Sequence, residues 1–215
     1  HKPIRIDQAM RIPEARKAIN KEWDKLEAKG EFKGKRRPAW DLKGVQPRAK
    51  VIARAQRLGI TVHFGNVVPL CHQKNSEQEE AMRSYKGRIV FRGDGVTDES
   101  GQYAVFSEQG ASASLMSATK FLDVIGHMPG NDGEDGDAIS AYTQILLSEA
   151  ERLLGVDVMP ETWISLPKNK HPPEWAGIED PVCPLLLNLY GHPLAGLLLE
   201  KGAQEKILSL GFEKI

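Results

Sequence analysis

The sequence predicts an α+β fold in which helices flank an antiparallel sheet. Residues 60–71 and 85–93 are two strand-like runs joined by a polar segment, which is the pattern of a long hairpin. Amphipathic helical patterns lie before and after this hairpin. With 215 residues, 40% of them hydrophobic and 27% charged, the chain can bury the sizeable core of an ordinary globular protein.

Five segments are expected to be helical. Residues 13–30 place apolar side chains at helical spacing before a glycine, and residues 47–58 end at Gly59. Residues 112–125 form the next predicted helix. Residues 140–154 carry a continuous apolar stripe and form a further predicted helix, which Ser140 can cap. Residues 194–210 form the last helix. Two further strands are predicted in "ETWISLP" and, as a buried strand or a strand with a turn, in "VCPLLLNLYGHP".

The second hairpin strand separates basic from apolar side chains. Period two places Lys86, Arg88 and Arg92 on one face, opposite a face that holds Tyr85, Ile89 and Phe91. One interpretation is a half-buried strand with a solvated side. The other is a strand whose guanidinium groups bind phosphates, because the planar fork of arginine suits them.

Charge is strongly polarised along the chain, although the formal net charge is zero. Residues 1–93 contain 22 lysines and arginines against 10 aspartates and glutamates, and the remainder contains 7 against 19. This polarity predicts a basic surface for a polyanion beside an acidic half that can hold metal. The alternative is that the basic helices are simply well solvated.

An intracellular location, in the cytoplasm or nucleus, is expected. No basic segment followed by an apolar core opens the chain, and Cys71 and Cys183 stand far apart without partners at metal spacing. Residues 181–199 have the apolar length of a membrane span. However, they include Asn188, His192 and three prolines, which favours a buried core and no membrane partner.

The stretch "DGEDGDAISAYTQ", residues 132–144, crowds carboxylates around a glycine-rich turn. It does not fit calcium-loop spacing, which requires a glycine at the sixth position and a glutamate at the twelfth. Its first three acids are expected to be solvated turn residues. Asp137 directly precedes apolar structure, so it is either a loop residue or a Mg²⁺ ligand with Tyr142 shaping a substrate slot nearby.

Five short segments, in order, resemble the reverse transcriptase of Ty1/copia-type retrotransposon polyproteins. "SYKGRIVFRG" is similar to the fingers strand of that family, and "GDAISAYTQ" to its first palm motif. "ETWISLP" resembles the strand that follows. "PVCPLLLNLYGHPLAGLLLEK" and "LGFEKI" resemble the family segments with V-C-x-L, L-Y-G and L-G-F.

The resemblance implies a right-hand polymerase, with β-rich fingers and an α+β palm. Residues 1–59 would be a basic helical region, residues 60–110 the fingers hairpin region, and residues 111–215 a partial palm. The family uses two Mg²⁺ ions to activate the primer hydroxyl and to stabilise the leaving pyrophosphate. The resemblance places a metal on the catalytic carboxylate of Asp137 and on the backbone carbonyl of Ala138.

The same resemblance assigns substrate contacts. Tyr142 would lie under the sugar and exclude a 2′ hydroxyl, and Arg88 would lie against the incoming triphosphate. Lys86 and Arg92 become candidate template contacts. Gly191 opens the second palm motif, where close backbone approach to template and nucleotide favours glycine. The implied partners are RNA or DNA template–primer and dNTPs, with integrase and ribonuclease H as other domains of the full-length polyprotein.

The chain departs from the family in three respects. The Y-x-D-D motif with the other catalytic carboxylates is absent and would be expected beyond Ile215, so this chain alone should not polymerise DNA. Ala195, Gly196 and Leu199 replace the usual Ser-Pro and Trp, and the segment after Tyr142 is longer than usual. A partial palm should also expose apolar surface around "PLLLNLYG".

Two alternative hypotheses remain. One is an inactive retroelement remnant whose basic amino-terminal half binds nucleic acid nonspecifically. The other is an interaction domain that merely shares motif-like segments.

Overall fold

The computed structural model describes residues 2–29, 37–106, 116–132 and 138–213. The helices of this part of the chain are α1 (Ile6–Ala9), α2 (Pro13–Leu26), α3 (Arg48–Leu58), α4 (Met116–Gly126), α5 (Ala150–Leu154) and α6 (Ala195–Ser209). The strands are β1 (Lys2–Ile4), β2 (Gln46–Pro47), β3 (Val62–Lys74), β4 (Ser84–Phe91), β5 (Glu161–Ser165) and β6 (Pro181–Pro184). The α+β class is therefore confirmed.

The long strand β3 organises the sheet. Its second half pairs antiparallel with β4, with Leu70 opposite Arg88, which confirms the predicted hairpin. The same half also pairs antiparallel with β1. The first half of β3 pairs in parallel with β5, and β6 then joins β5 in antiparallel orientation. The prediction of an antiparallel sheet was therefore wrong in this respect: the sheet is mixed, because the long connection from β4 to β5 lets the chain return in the direction of β3.

Helix α2 covers the apolar face of β4. Its stripe buries Ala15, Ile19, Trp23 and Leu26, as the helical spacing predicted. At Gly87 the helix comes so close that a Cβ atom would lie 2.6 Å from the carbonyl oxygen of Ala18. The apolar side of β4 is thus buried, and the side that holds Lys86 and Arg88 faces away from the helix.

Helix α3 also follows the prediction. It runs from Arg48 to Leu58 and ends at Gly59, whose φ of 65° is the left-handed conformation that glycine adopts at little cost. Its buried residues, Val51 and Ala55, pack with Val62, Phe64, Trp163 and Val182 in a core cluster. The final helix is confirmed as α6.

The prediction of a single helix over residues 140–154 is wrong. The chain there forms 3₁₀ turns at Ala141–Gln144 and Leu147–Glu149 before the short helix α5, which ends at left-handed Gly155. Between the turns, Leu146 is extended and bridges Leu187, while the carbonyl of Ile145 accepts the backbone N–H of Asn188 at 2.9 Å. Tertiary pairing with the β6 region thus overrides local helix propensity.

The segment that follows β6 is a buried core, as predicted. Leu185, Leu187 and Leu189 are all buried in the main apolar cluster, which also contains residues from α2 and β4. The expectation of exposed apolar surface around "PLLLNLYG" is therefore wrong, because these leucines pack inward. Within the described residues, no helix is long and apolar enough to cross a membrane.

Candidate functional site

Strand β4 presents the first component of the candidate site. Arg88 is half-buried on the face opposite α2, and its guanidinium carbon lies 4.9 Å from the ring centroid of Tyr190. A cation over an aromatic face is attracted by the ring quadrupole, by about 0.5–1 kcal/mol at an accessible site. The contact therefore favours a position of the guanidinium group beside the turn after β6.

A second aromatic side chain extends this contact. The ring of Tyr142 packs edge-on against Tyr190, with centroids 4.5 Å apart and planes at 71°. We call Arg88, Tyr190 and Tyr142 the Arg–Tyr–Tyr stack. It joins three segments that are distant in the sequence: the second hairpin strand, the turn after the acidic stretch and the turn after β6.

Gly191 fixes the backbone beneath this stack. Its φ is 85°, and a Cβ atom there would lie 2.1 Å from the carbonyl oxygen of Phe91. The backbone N–H of Phe91 donates to the carbonyl of Tyr190 at 2.8 Å. The close approach that requires glycine is therefore made to the protein's own β4, and it holds Tyr190 beside Arg88.

The N–H donors of Arg88 have no acidic partner among the described residues. None of the ion pairs in that part of the chain includes its guanidinium group. A guanidinium group that is stacked on one face still presents N–H donors in its own plane. Arg88 is therefore positioned to bind an anion such as a phosphate.

Lys86 lies in a positive electrostatic environment. The nearby charge of Arg88, then burial and the charges of Lys74 and Lys25, lower the pKa of Lys86, and Glu22 only partly opposes them. An excess of positive charge of this kind is relieved by a bound polyanion. Lys86 and Arg88 thus form a basic surface on one side of the hairpin.

Arg92 differs because it already has an acidic partner. Its Nε donates to Oδ1 of Asp94 at 3.0 Å, and this hydrogen bond raises the pKa of Arg92. Both side chains are exposed, so the pair contributes little free energy and can exchange for another anion. Arg92 thus stays a predicted template contact, in competition with Asp94.

Asp137 lies outside the described residues. Ala138, its predicted neighbour in the metal site, is exposed at the start of the segment that leads to Tyr142. Ser140, two residues on, adopts a left-handed φ of 55° and begins the turn that carries Tyr142. Within the described part of the chain, no group of three or more His, Cys, Asp or Glu residues is arranged to hold a metal. Since Asp137 is not included, the Mg²⁺ site remains a prediction.

A cleft of about 510 Å³ borders the segment that follows Ala138. Ile139, Ser140 and Thr143 line one part of it, and the basic residues Lys25 and Arg37 from the amino-terminal half line another. The cleft therefore places two basic side chains beside the predicted first palm motif, together with the carboxylate of Glu149.

Three residues of this region were not predicted from the sequence. Tyr190 directly precedes Gly191 in the quoted L-Y-G motif, and an aromatic residue beside a turn glycine is the signal that could have indicated it. Lys25 and Arg37 carry no such signal, because helix α2 and the segment before β2 reach the cleft only through the fold.

Comparison of the chain with protein-family models, with curated proteins and with solved structures finds no match. The site is therefore defined by the geometry of its own residues: an arginine over a tyrosine ring, with no acidic partner among the described residues, a second tyrosine packed on the first, and neighbouring basic side chains.

Proposed function

We propose that the chain forms the fingers and part of the palm of an RNA-directed DNA polymerase, as in the Pol polyprotein of a Ty1/copia-type retrotransposon. The observation that carries the proposal is the Arg–Tyr–Tyr stack. Its three members come from three separate segments that resemble motifs of this polymerase, and they meet at one surface.

In this proposal Arg88 binds the triphosphate of an incoming dNTP. Its guanidinium group lies over the ring of Tyr190, and its N–H donors meet no carboxylate of the described residues. A guanidinium group that is fixed in advance loses less conformational entropy when it binds a phosphate. Arg88 therefore contributes both charge and orientation.

Tyr142 contacts Tyr190, which in turn contacts Arg88. In this proposal Tyr142 therefore meets the sugar of the nucleotide whose triphosphate Arg88 binds. Its ring is half-buried and braced edge-on by Tyr190. An aromatic surface that is held in this way can exclude a 2′ hydroxyl by occupying its space. Lys86 and Arg92 would then contact the template backbone.

Nucleotidyl transfer in the full-length protein would require carboxylates that these 215 residues lack, since they contain no Y-x-D-D motif. Two Mg²⁺ ions would supply charge stabilisation at the phosphates when bound. Asp137 and the carbonyl of Ala138 are the ligands that we propose for one of them. The residues of the stack bind and orient the nucleotide.

The experiment is equilibrium binding of a dNTP to the chain in the presence of template–primer and Mg²⁺. Arg88→Gln should weaken dNTP binding at least tenfold, because a phosphate loses a charge-assisted, bidentate partner. Arg57→Gln is the matched control, since it removes an exposed arginine from α3. Equal dNTP affinity in the two variants would contradict the proposal.

A second candidate function is nonspecific nucleic-acid binding, and the basic surface that Lys86 and Arg88 form on β4 favours it. The repulsion from Arg88, Lys74 and Lys25 that lowers the pKa of Lys86 would be relieved by phosphates. Lys86→Gln should then reduce the slope of log affinity against log salt by about 0.9 for duplex DNA. Lys201→Gln, which removes an exposed lysine of the acidic half, should leave the slope unchanged.

The two functions differ in whether dNTPs and duplex DNA compete for binding. If the polymerase proposal holds, dNTP binding depends on Arg88 and survives an excess of duplex that lacks a primer end. If only nonspecific binding occurs, dNTPs and duplex compete for the same charges, and Arg88→Gln and Lys86→Gln weaken both ligands to a similar extent.

A further inference from the structure

A second cavity, of about 350 Å³, lies apart from the Arg–Tyr–Tyr stack. The beginnings of β3 and β5 form one wall, through His63 and Thr162, and helices α5 and α6 form another. His192, from the turn before α6, completes it. The remaining lining is apolar, and it includes Val156 at the surface and Leu198 in the interior.

The cavity brings two buried histidines to one aromatic cluster. His63 is 8% exposed and His192 is 6% exposed. The ring centroid of Phe106 lies 5.1 Å from that of His63 and 6.3 Å from that of His192. This arrangement gives the cavity flat, polarisable walls, which suit an aromatic molecule.

The hydrogen-bonding capacity of these histidines is mostly unused. Within the described residues, the one hydrogen bond to their ring nitrogens runs from the backbone N–H of Leu194 to Nδ1 of His192, at 3.3 Å. Because Nδ1 accepts this bond, the neutral ring of His192 carries its proton on Nε2. Three groups therefore have no hydrogen-bond partner in the described part of the chain and can meet a ligand: Nε2–H of His192, the ring nitrogens of His63 and the hydroxyl of Thr162.

The cavity is also uncharged. Burial lowers the pKa of His192 to about 4, with a smaller contribution from His63. Burial likewise lowers the pKa of His63, although the charges of Asp98 and Glu99 oppose this. Among the described residues that line the cavity, none is an aspartate, glutamate, lysine or arginine. A charged ligand would be buried there without a counterion, which is costly.

We propose that this cavity binds a small, uncharged, largely aromatic molecule that carries a hydroxyl group. The hydroxyl would accept from Nε2–H of His192 and donate to the hydroxyl oxygen of Thr162, so that both groups gain a partner. The volume is within the range of small-molecule sites. The site is independent of the polymerase proposal, because Arg88, Tyr142 and Tyr190 do not line it.

The test titrates the protein with 2-naphthol by isothermal calorimetry. We expect binding at one molecule per chain. Val156→Trp should weaken it at least tenfold, because the larger side chain fills the mouth of the cavity. Val158→Trp is the matched control, since this more exposed valine lies two residues away and outside the lining.

Two further measurements test the polar contacts. Thr162→Val keeps the shape of the side chain and removes its hydroxyl, so 2-naphthol affinity should fall by about fivefold. Naphthalene-2-carboxylate should bind at least tenfold more weakly than 2-naphthol. The proposal is overturned if 2-naphthol does not bind, if Val156→Trp and Val158→Trp bind it equally, if Thr162→Val binds it as tightly as the parent does, or if the carboxylate binds as tightly.

Discussion

The guanidinium carbon of Arg88 lies 4.9 Å from the ring centroid of Tyr190, although the two residues are 102 positions apart in the sequence. The carbonyl of the same tyrosine accepts the backbone N–H of Phe91, so the strand and the turn are joined at two points. This relationship places the basic face of β4 against an aromatic platform, and it is the basis of the proposed nucleotide site.

Replacing Tyr190 tests whether its ring orients Arg88. Tyr190→Leu should weaken dNTP binding by about threefold to fivefold, because the arginine loses the aromatic face that favours its position. Tyr190→Phe keeps that face and should bind as the parent does. Equilibrium dNTP titrations measure both, and a loss of affinity in the Phe variant equal to that in the Leu variant would show that the ring face is not the relevant feature.

Gly191→Ala should destabilise the fold by more than the cost of its backbone conformation. A left-handed conformation costs a residue with a Cβ about 1–2 kcal/mol. At Gly191 the added Cβ would also lie 2.1 Å from the carbonyl oxygen of Phe91, so the backbone must move.

Gly177→Ala is a matched control for this prediction. Gly177 has the same φ of 85°, but nothing lies within 4 Å of a Cβ built there. In urea unfolding, the free energy of unfolding should therefore fall clearly more in Gly191→Ala than in Gly177→Ala. Equal losses would mean that the contact with Phe91 relaxes without cost.

The ion pair of Arg54 and Glu161 should make stability depend on acid pH. Hydrogen bonding to Arg54 lowers the pKa of Glu161 below 4.5, against the opposing effect of burial. The folded state thus binds the proton more weakly than the unfolded state. The stabilisation is present above pH 4.5 and is lost as the pH falls through the lower, folded-state value.

Arg54→Gln is the variant that tests this dependence. The free energy of unfolding should drop by about 1 kcal/mol at pH 7, since solvent reaches the pair, and the difference from the parent should shrink towards pH 3. Arg152→Gln removes an exposed ion pair with Glu205 and should cost less. Urea unfolding from pH 3 to 7 measures both, and a difference that grows on acidification would contradict the assignment.

His192 should make the protein less stable below neutral pH. Burial lowers the folded-state pKa of its imidazole from 6.5 to about 4, so the unfolded state binds the proton more readily. The stabilisation is therefore full above pH 6.5 and is lost between pH 6.5 and 4, at about 1.4 kcal/mol per pH unit.

His192→Asn removes the titrating ring and retains an acceptor for Leu194. We expect lower stability at pH 7 but a flatter pH profile, with a residual slope from buried His63. His127→Asn, which removes an exposed imidazole, should keep the profile of the parent. Denaturant unfolding from pH 7 to 4.5 distinguishes these outcomes, and an unchanged slope in His192→Asn would refute the assignment.

Local patterns predicted much of the fold correctly. Helices α2, α3 and α6, the β3–β4 hairpin and strand β5 all form where the spacing of apolar residues indicated them. Helices α2 and α3 and strand β4 each bury one face, so period 3.6 or period 2 is present in those parts of the chain. The basic face of β4 was predictable for the same reason.

Long-range pairing produced the errors. The apolar stripe of residues 140–154 satisfies helical spacing, yet Leu146 is held in an extended conformation by its bridge to Leu187. The parallel pairing of β3 with β5 likewise depends on where the chain returns after a long connection. Neither arrangement leaves a periodic signal in the segment itself.

The residues of the candidate site could be named before the fold was known: Arg88 on a basic strand face, Tyr142 after the acidic stretch and Gly191 in the L-Y-G segment. Their arrangement could not, because Tyr190 meets Arg88 and Tyr142, and Gly191 meets the backbone of Phe91, through packing alone. Side-chain type and period are local properties of a chain, whereas contacts between distant segments depend on how the whole core packs.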